Sequence, residues 1–345
     1  MRLGVNVSQP DAVRLAREAE RLDFDAVYVP EGVRGDAVSV LGMVAGATTR
    51  IGLGAGVMEI PARTPAMTAL TAATLDALSQ GRFRLGLGVT NTYISEDWHG
   101  VPFHPPLART REYVEIVRAA LRREPVTHAG RHYQLPLVAG RGDPFRLVTP
   151  GRIDLPIYLA AIGARSLQLA GEVADGWFGV FCSPDRVAWA VDQLRIGHAR
   201  RRRTPTHFEV ALSVPLVVDP DPVAAGAPVR RYVARFVSLG PPEHNFYHRL
   251  LVDAGFGKAA DEIVRQYRAG EVERAAAAVP SDFLAGTSLL GPTEHIATRL
   301  KAYRDAGVDT LAVSPFHPDP ARRLADLRAV AGALAAVVPV APGRR

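Results

Sequence analysis

Polar side chains gather where short apolar runs stop. The stretch "RFRLGLGVTNTYISEDWHG" (82–100) turns polar at Thr90, Asn91, Thr92 and Tyr93, then continues through Glu96 and Asp97 to Trp98 and His99. Glu31, Tyr93 and His99 are side chains able to hold or pass a proton, whereas the Asn91 amide can only orient a partner. Glu31 follows the apolar run 26–30, with Asp36 behind it. It reads equally well as a catalytic carboxylate or as a cap for the next helix. In "AAIGARSLQLAGEVADG" (160–176) an apolar run ends at Gly163 and a helix opens at once. Free first-turn amides beside Arg165 and Ser166 would cradle a phosphate, and an ordinary capped loop is the plain alternative.

Other spacings argue chemistry away. His128 and His132 flank Gly130 in a hairpin-like stretch, which disfavours a helical i,i+4 metal pair. His244 and His248 could share a helix but lack an evident carboxylate partner, so contact with a substrate fits His248 better than a metal. No metal is expected. "GLGAG" (52–56) lacks the G-x-G-x-x-G spacing of a dinucleotide loop, and no G-x-S-x-G elbow, Walker loop or H-E-x-x-H is present.

These residues need elements to position them. Apolar runs at 3–7, 26–30, 51–57, 83–89, 156–162, 176–181, 208–218 and 310–315 alternate with amphipathic stretches. Near-continuous apolar strands between helices mean parallel strands covered by helices. Eight such units predict a (β/α)8 TIM barrel, with its site at the C-terminal ends of the strands. The surplus length lies at about 124–152, read as a hairpin with loop, and at about 220–290, read as helical. With no low-complexity linker, residues 1–345 are expected to form one domain.

The bulk numbers exclude several classes. The chain has 345 residues, 48% hydrophobic and 22% charged, which is globular composition. Net charge is +6, much of it in "RIGHARRRR" (195–203), a solvated helix end without the interleaved aromatics of a nucleic-acid surface. The first residues lack a signal-peptide core, and 329–342 is short and broken by Pro339 and Pro342. A cytoplasmic protein with no membrane or nucleic-acid partner is expected. Cys182 is the only cysteine, so no intrachain disulfide forms.

Four stretches resemble the luciferase-like monooxygenase superfamily, in particular its coenzyme F420-dependent oxidoreductases. They are "PARTPAMTALTAATLDALSQGRFRLGLGV", "EDWHGVPFHPPLARTREYVEIVR", "AAIGARSLQLAGEVADGW" and "NFYHRLLVDAGF" with "AAAAVP" after it. The resemblance implies a barrel with insertions, usually dimeric, and a flavin or deazaflavin across the C-terminal face. It implies a non-prolyl cis peptide at Gly56-Val57, flanked by Ala55 and Met58, behind the cofactor ring. Gly88, Thr90, Asn91, Ala160 and Ala161 would line the cofactor, with Gly163, Ala164, Arg165 and Ser166 around its phosphate. Departures lie at Thr90–Tyr93, where close relatives carry a Ser-Gly-Pro-Gln-like turn, and at Ala164-Arg165, where they carry Pro-Lys.

Coenzyme F420 is therefore the expected cofactor, passing a hydride to or from an activated C=C or C=N bond of a small-molecule or peptide-intermediate substrate. Glu31, Asn91, Tyr93, His99 and His248 are the candidate catalytic residues. The alternatives are an FMN-dependent monooxygenase and a non-catalytic ligand-binding barrel.

Overall fold

The computed structural model describes residues 1–33, 35–138, 140–201 and 207–337. Arg202 and Arg203 of the basic run, and the end of the late apolar stretch, lie outside them.

Eight strands close a parallel barrel: β1 (Arg2–Asn6), β2 (Ala26–Val29), β3 (Gly52–Ala55), β4 (Phe83–Gly88), β5 (Ile157–Leu159), β6 (Gly176–Val180), β7 (Glu209–Val218) and β8 (Thr310–Pro315). Each pairs with its successor, and β8 returns to β1 with Arg2 opposite Thr310 and Val5 opposite Val313. The expected (β/α)8 TIM barrel is the fold.

Two strands are shorter than expected. The run 51–57 stops at Ala55, the Gly56–Val57 peptide is cis, and pairing resumes with Met58 opposite Leu87 and Glu59 opposite Gly88. The run 156–162 stops at Leu159, because the buried Trp177 indole, not a neighbouring strand, takes the Ala161 carbonyl at 2.9 Å.

The glycines of the strands make room for particular groups. A Cβ on Gly54 would sit 2.6 Å from the Tyr28 ring, and one on Gly86 would sit 2.0 Å from the Ala55 carbonyl oxygen. Tyr28 packs inside the barrel against Phe178, with ring centroids 4.9 Å apart. Inside the barrel, the buried Glu209 accepts hydrogen bonds from Tyr158 at 2.6 Å and Thr310 at 2.5 Å, with Arg84 bonded to Asp25 at 2.6 Å. Buried polar groups persist inside a core only when satisfied in this way.

The helices start where capping chemistry allows. In α1 (Ala12–Arg21) Asp11 makes no side-chain cap. In α2 (Ala37–Ala47) Asp36 accepts the Ser39 amide at 2.7 Å. This assigns the cap to Asp36 and leaves Glu31 for another use. α3 (Pro65–Leu78) is capped by Thr64, α4 (Pro106–Leu121) opens on a proline, α5 (Ala164–Val173) starts directly behind Gly163, and α6 (Pro184–His198) is capped by Ser183. Proline suits these first positions because its missing N–H has no helical acceptor there.

The 124–152 segment contains the expected hairpin, His128–Ala129 against Gln134–Leu135. It is pinned by Glu112 of α4, whose carboxylate accepts the amides of Arg131, His132 and Tyr133 at 2.9–3.0 Å. The 220–290 segment is helical: α7 (Pro222–Val237), α8 (Phe246–Asp253), α9 (Gly257–Arg268), α10 (Val272–Ala277) and α11 (Ser281–Thr287). It has its own apolar core, including Val233, Leu251, Ile263 and Phe283, built onto Phe181 after β6 and Val217 at the end of β7. The segment is thus seated on the C-terminal side of the barrel. Leu289–Gly291 then pairs with β7, and α12 (Thr293–Asp305) and α13 (Pro320–Val337) complete the ring. Among the described residues no helix is long and apolar enough to cross a membrane.

Candidate active site at the C-terminal mouth of the barrel

Four segments lie at the mouth, at the ends of β2, β3, β4 and β5. The first carries Glu31. Its Oε2 accepts the Glu59 amide at 2.9 Å and the Arg63 guanidinium at 2.5 Å, and Arg63 reaches on to Asp36 at 2.7 Å. The Glu31 side chain is only 8% exposed, and its Oε1 is buried without a hydrogen-bond partner. A buried acceptor left open in this way is a place where a ligand donor would be welcome.

The second segment is the Gly56–Val57 peptide and its extension. Val57 leans on β4: a Cβ on Gly88 would come within 2.7 Å of Val57 Cγ2 and 3.7 Å of the Ala160 Cβ. Val57, Gly88 and Ala160 therefore form a close-packed wall of small side chains, with Ala55 and Met58 buried behind it. Such a wall suits the flat face of a ring system.

The third segment follows β4. Thr90 takes a left-handed φ of +55°, uncommon for a β-branched residue. Asn91 is buried, and its Oδ1 accepts the Ile94 amide at 2.9 Å, so it caps the π-helical turn Ile94–Trp98. Tyr93 packs edge-on to Trp98 at 5.7 Å, beneath Gly240 of the inserted segment. His99, at the end of the turn, places Nε2 2.9 Å from Glu59 Oε2.

The fourth segment is the start of α5. The first helical bond runs from the Leu167 amide to the Gly163 carbonyl. The amides of Ala164, Arg165 and Ser166 therefore have no helical acceptor, as in any first turn. Ser166 turns its hydroxyl back to Gly163 at 2.8 Å, and Arg186 holds the preceding loop through the Ile162 carbonyl at 3.0 Å. Arg165 is exposed and lines a cavity of about 200 Å³ between α4 and α5 with Arg200 and the paired Arg111 and Glu172.

The structure thus brings Glu31, Asn91, Tyr93 and His99 to one side of the mouth. His248 is engaged elsewhere, with Nε2 3.0 Å from Asp261 of α9 inside the inserted segment. Its neighbour Tyr247 relates to the mouth instead. Burial, and then the Glu59 charge, push its phenol up to about 12. Arg63 and Tyr247 escaped the sequence reading, and Glu59 was a strand-end position without an assigned role. Position at a strand end marks Glu59, but nothing local marks Tyr247, which lies 188 residues further along the chain.

The fold and this mouth define an α/β-barrel enzyme with a close-packed small-residue wall and an anion-ready helix start at its C-terminal face. The luciferase-like monooxygenase family profile matches residues 3–310, and the chain belongs to that family. A Mycobacterium tuberculosis protein, provisionally named a coenzyme F420-dependent oxidoreductase, is 36% identical over 95% of this chain and 97% of its own. The 5,10-methylenetetrahydromethanopterin reductase of Methanolobus tindarius is 32% identical over 66% of this chain and 67% of its own. Among solved structures, the coenzyme F420-dependent tetrahydromethanopterin reductase of Methanopyrus kandleri superposes with a TM-score of 0.81 at 24% identity, covering 95% of this chain and 97% of that one. The chain is an oxidoreductase of this family.

Proposed function

We propose that this protein is a coenzyme F420-dependent oxidoreductase that reduces an activated C=C or C=N bond in a small organic molecule or peptide intermediate. The observation that carries the reading is the pairing, at one mouth, of the wall around Gly56–Val57 with the open amides of α5. Similarity over nearly the whole chain to a relative named for coenzyme F420 supports the choice of cofactor. When bound, the deazaflavin supplies the hydride, which is the cofactor's own chemistry.

The chain's residues bind, orient and protonate. Gly163, Ala164, Arg165 and Ser166 would hold the cofactor phosphate, since first-turn amides and a guanidinium both favour an anion. Ala55, Gly56, Val57, Met58, Gly88, Ala160 and Ala161 would form or back the ring wall, with Thr90 and Asn91 at its edge. The open Glu31 Oε1 would accept an N–H, and Tyr93 and His99 stand on the substrate side. The same reading takes the chain as one domain with two insertions, cytoplasmic and homodimeric. Met43 of α2 with Met67 and Leu70 of α3, all exposed, support an apolar dimer face.

Titrating the purified protein with coenzyme F420 and with FMN, followed by fluorescence, tests the reading. Saturable F420 binding is expected. Tight FMN binding without F420 binding would instead favour the FMN-dependent monooxygenase, which the family's name and the same phosphate cradle also suit.

A further inference from the structure

Reduction of a C=N or polarised C=C bond consumes one hydride and one proton, so a reductase needs a proton source as well as its cofactor. Resting on the function proposed above, we infer that Glu59 and His99 form one proton-transfer unit. His99 gives up the proton, and Glu59 is the positioning residue that holds its ring.

Three observations carry this. Glu59 Oε2 lies 2.9 Å from His99 Nε2, and the two side chains are 12% and 27% exposed, so the pair is shielded yet its imidazole still meets solvent. Glu59 is itself anchored, because its amide is held by Glu31, and Arg63 holds the same Glu31 oxygen. The inserted segment packs close by: Phe246 packs against Phe103, a few residues beyond His99, with ring centroids 6.1 Å apart.

Other charged groups nearby are engaged or turned to solvent. Glu96 accepts the Phe103 amide at 2.8 Å, Arg63 spans Glu31 and Asp36, and Asp97 faces solvent. Among the described residues His99 Nδ1 makes no hydrogen bond. With Nε2–H donated to Glu59, the Nδ1–H bond is the one that breaks. Its electron pair stays on the ring, and a new N–H or C–H bond forms at the substrate atom that received electrons from the hydride. The neutral imidazole then regains a proton from water.

The test has two arms. In ligand-free protein, proton NMR should show a downfield imidazole N–H resonance that disappears in both His99→Ala and Glu59→Ala. A resonance that survives Glu59→Ala overturns the pairing. In the second arm, protein with reduced coenzyme F420 is given cyclohex-2-en-1-one and 1-pyrroline. His99→Ala should lower turnover by about 100-fold or more, the ordinary worth of a positioned acid, with partial rescue by added imidazole. Glu59→Gln should lower it about tenfold and displace the pH profile, while Glu59→Asp recovers part of the loss. Cofactor titrations should be unaltered in all variants. Near-full turnover by His99→Ala overturns the inference alone. Failure of the unaltered protein to bind coenzyme F420, or to reduce either probe, overturns the proposed function and this inference with it.

Discussion

Glu31 holds the backbone amide of Glu59 at 2.9 Å, so the end of β2 and the extension beyond the Gly56–Val57 peptide move as one piece. The Arg63 guanidinium, at 2.5 Å, shares the same carboxylate oxygen. Glu31→Ala should therefore strand the Glu59 amide and half of Arg63's pairing. Breaking a largely buried ion pair from one side costs about 3–5 kcal/mol. The retained Asp36 contact places the expected loss near the lower figure, read by urea unfolding with tryptophan fluorescence. A loss below about 1 kcal/mol, the size of a surface pair, would show that the network holds nothing together.

Gly86 and Gly88 make contrasting predictions. A Cβ at Gly88 meets the Val57 side chain, which can be trimmed, whereas a Cβ at Gly86 meets the Ala55 carbonyl oxygen at 2.0 Å, which cannot, as well as Val57 Cγ1 at 3.0 Å. Gly88→Ala should lower stability by about 1–3 kcal/mol, as overpacking does, and Val57→Ala in the same chain should relieve most of that loss. Gly86→Ala should be worse and gain little from Val57→Ala, because the clash with the Ala55 carbonyl remains. Thermal melts of the five proteins, unaltered chain included, decide this, and equal rescue at both sites would contradict it.

Arg165 should act through charge. Arg165→Glu is expected to weaken both coenzyme F420 and FMN about tenfold or more in fluorescence titrations, with little effect on riboflavin, which lacks the phosphate. Equal weakening of all three ligands would place the phosphate somewhere other than the start of α5.

Asp326 of α13 makes the protein pH-sensitive. Burial, opposed by the Val218 amide, His317 and Arg322, pushes its carboxyl up to about 6 from 3.8. Between those values the folded chain binds more protons than the unfolded one, so stability from this group is fully present below about pH 4 and is lost as pH rises through 6. Asp326→Asn should therefore flatten the fall in melting temperature between about pH 4 and 6. Identical pH dependence in the two proteins would show that Asp326 ionises as freely as in the unfolded chain.

The order of strands and helices was legible in the residues, because a buried parallel strand and an amphipathic helix each impose a local period. The start of α5 at Gly163 and the polar run after β4 were legible for the same reason: composition changes abruptly where a chain leaves the barrel. Function was less legible. Glu31 read equally well as a catalytic carboxylate or a cap, and only the Ser39 amide, taken by Asp36, showed that Glu31 is not the cap. Asn91, readable as a substrate contact, also caps its own turn through Oδ1, which nothing in its local sequence marks. His248 and Tyr247 are adjacent in sequence, yet a helix points adjacent side chains about 100° apart. One pairs with Asp261 and the other senses Glu59. Periodicity and capping are properties of neighbours along the chain, and the sequence by itself determines them. Which carboxylate meets which histidine depends on distances between segments far apart in sequence, and only the closed barrel with its seated insertion decided it.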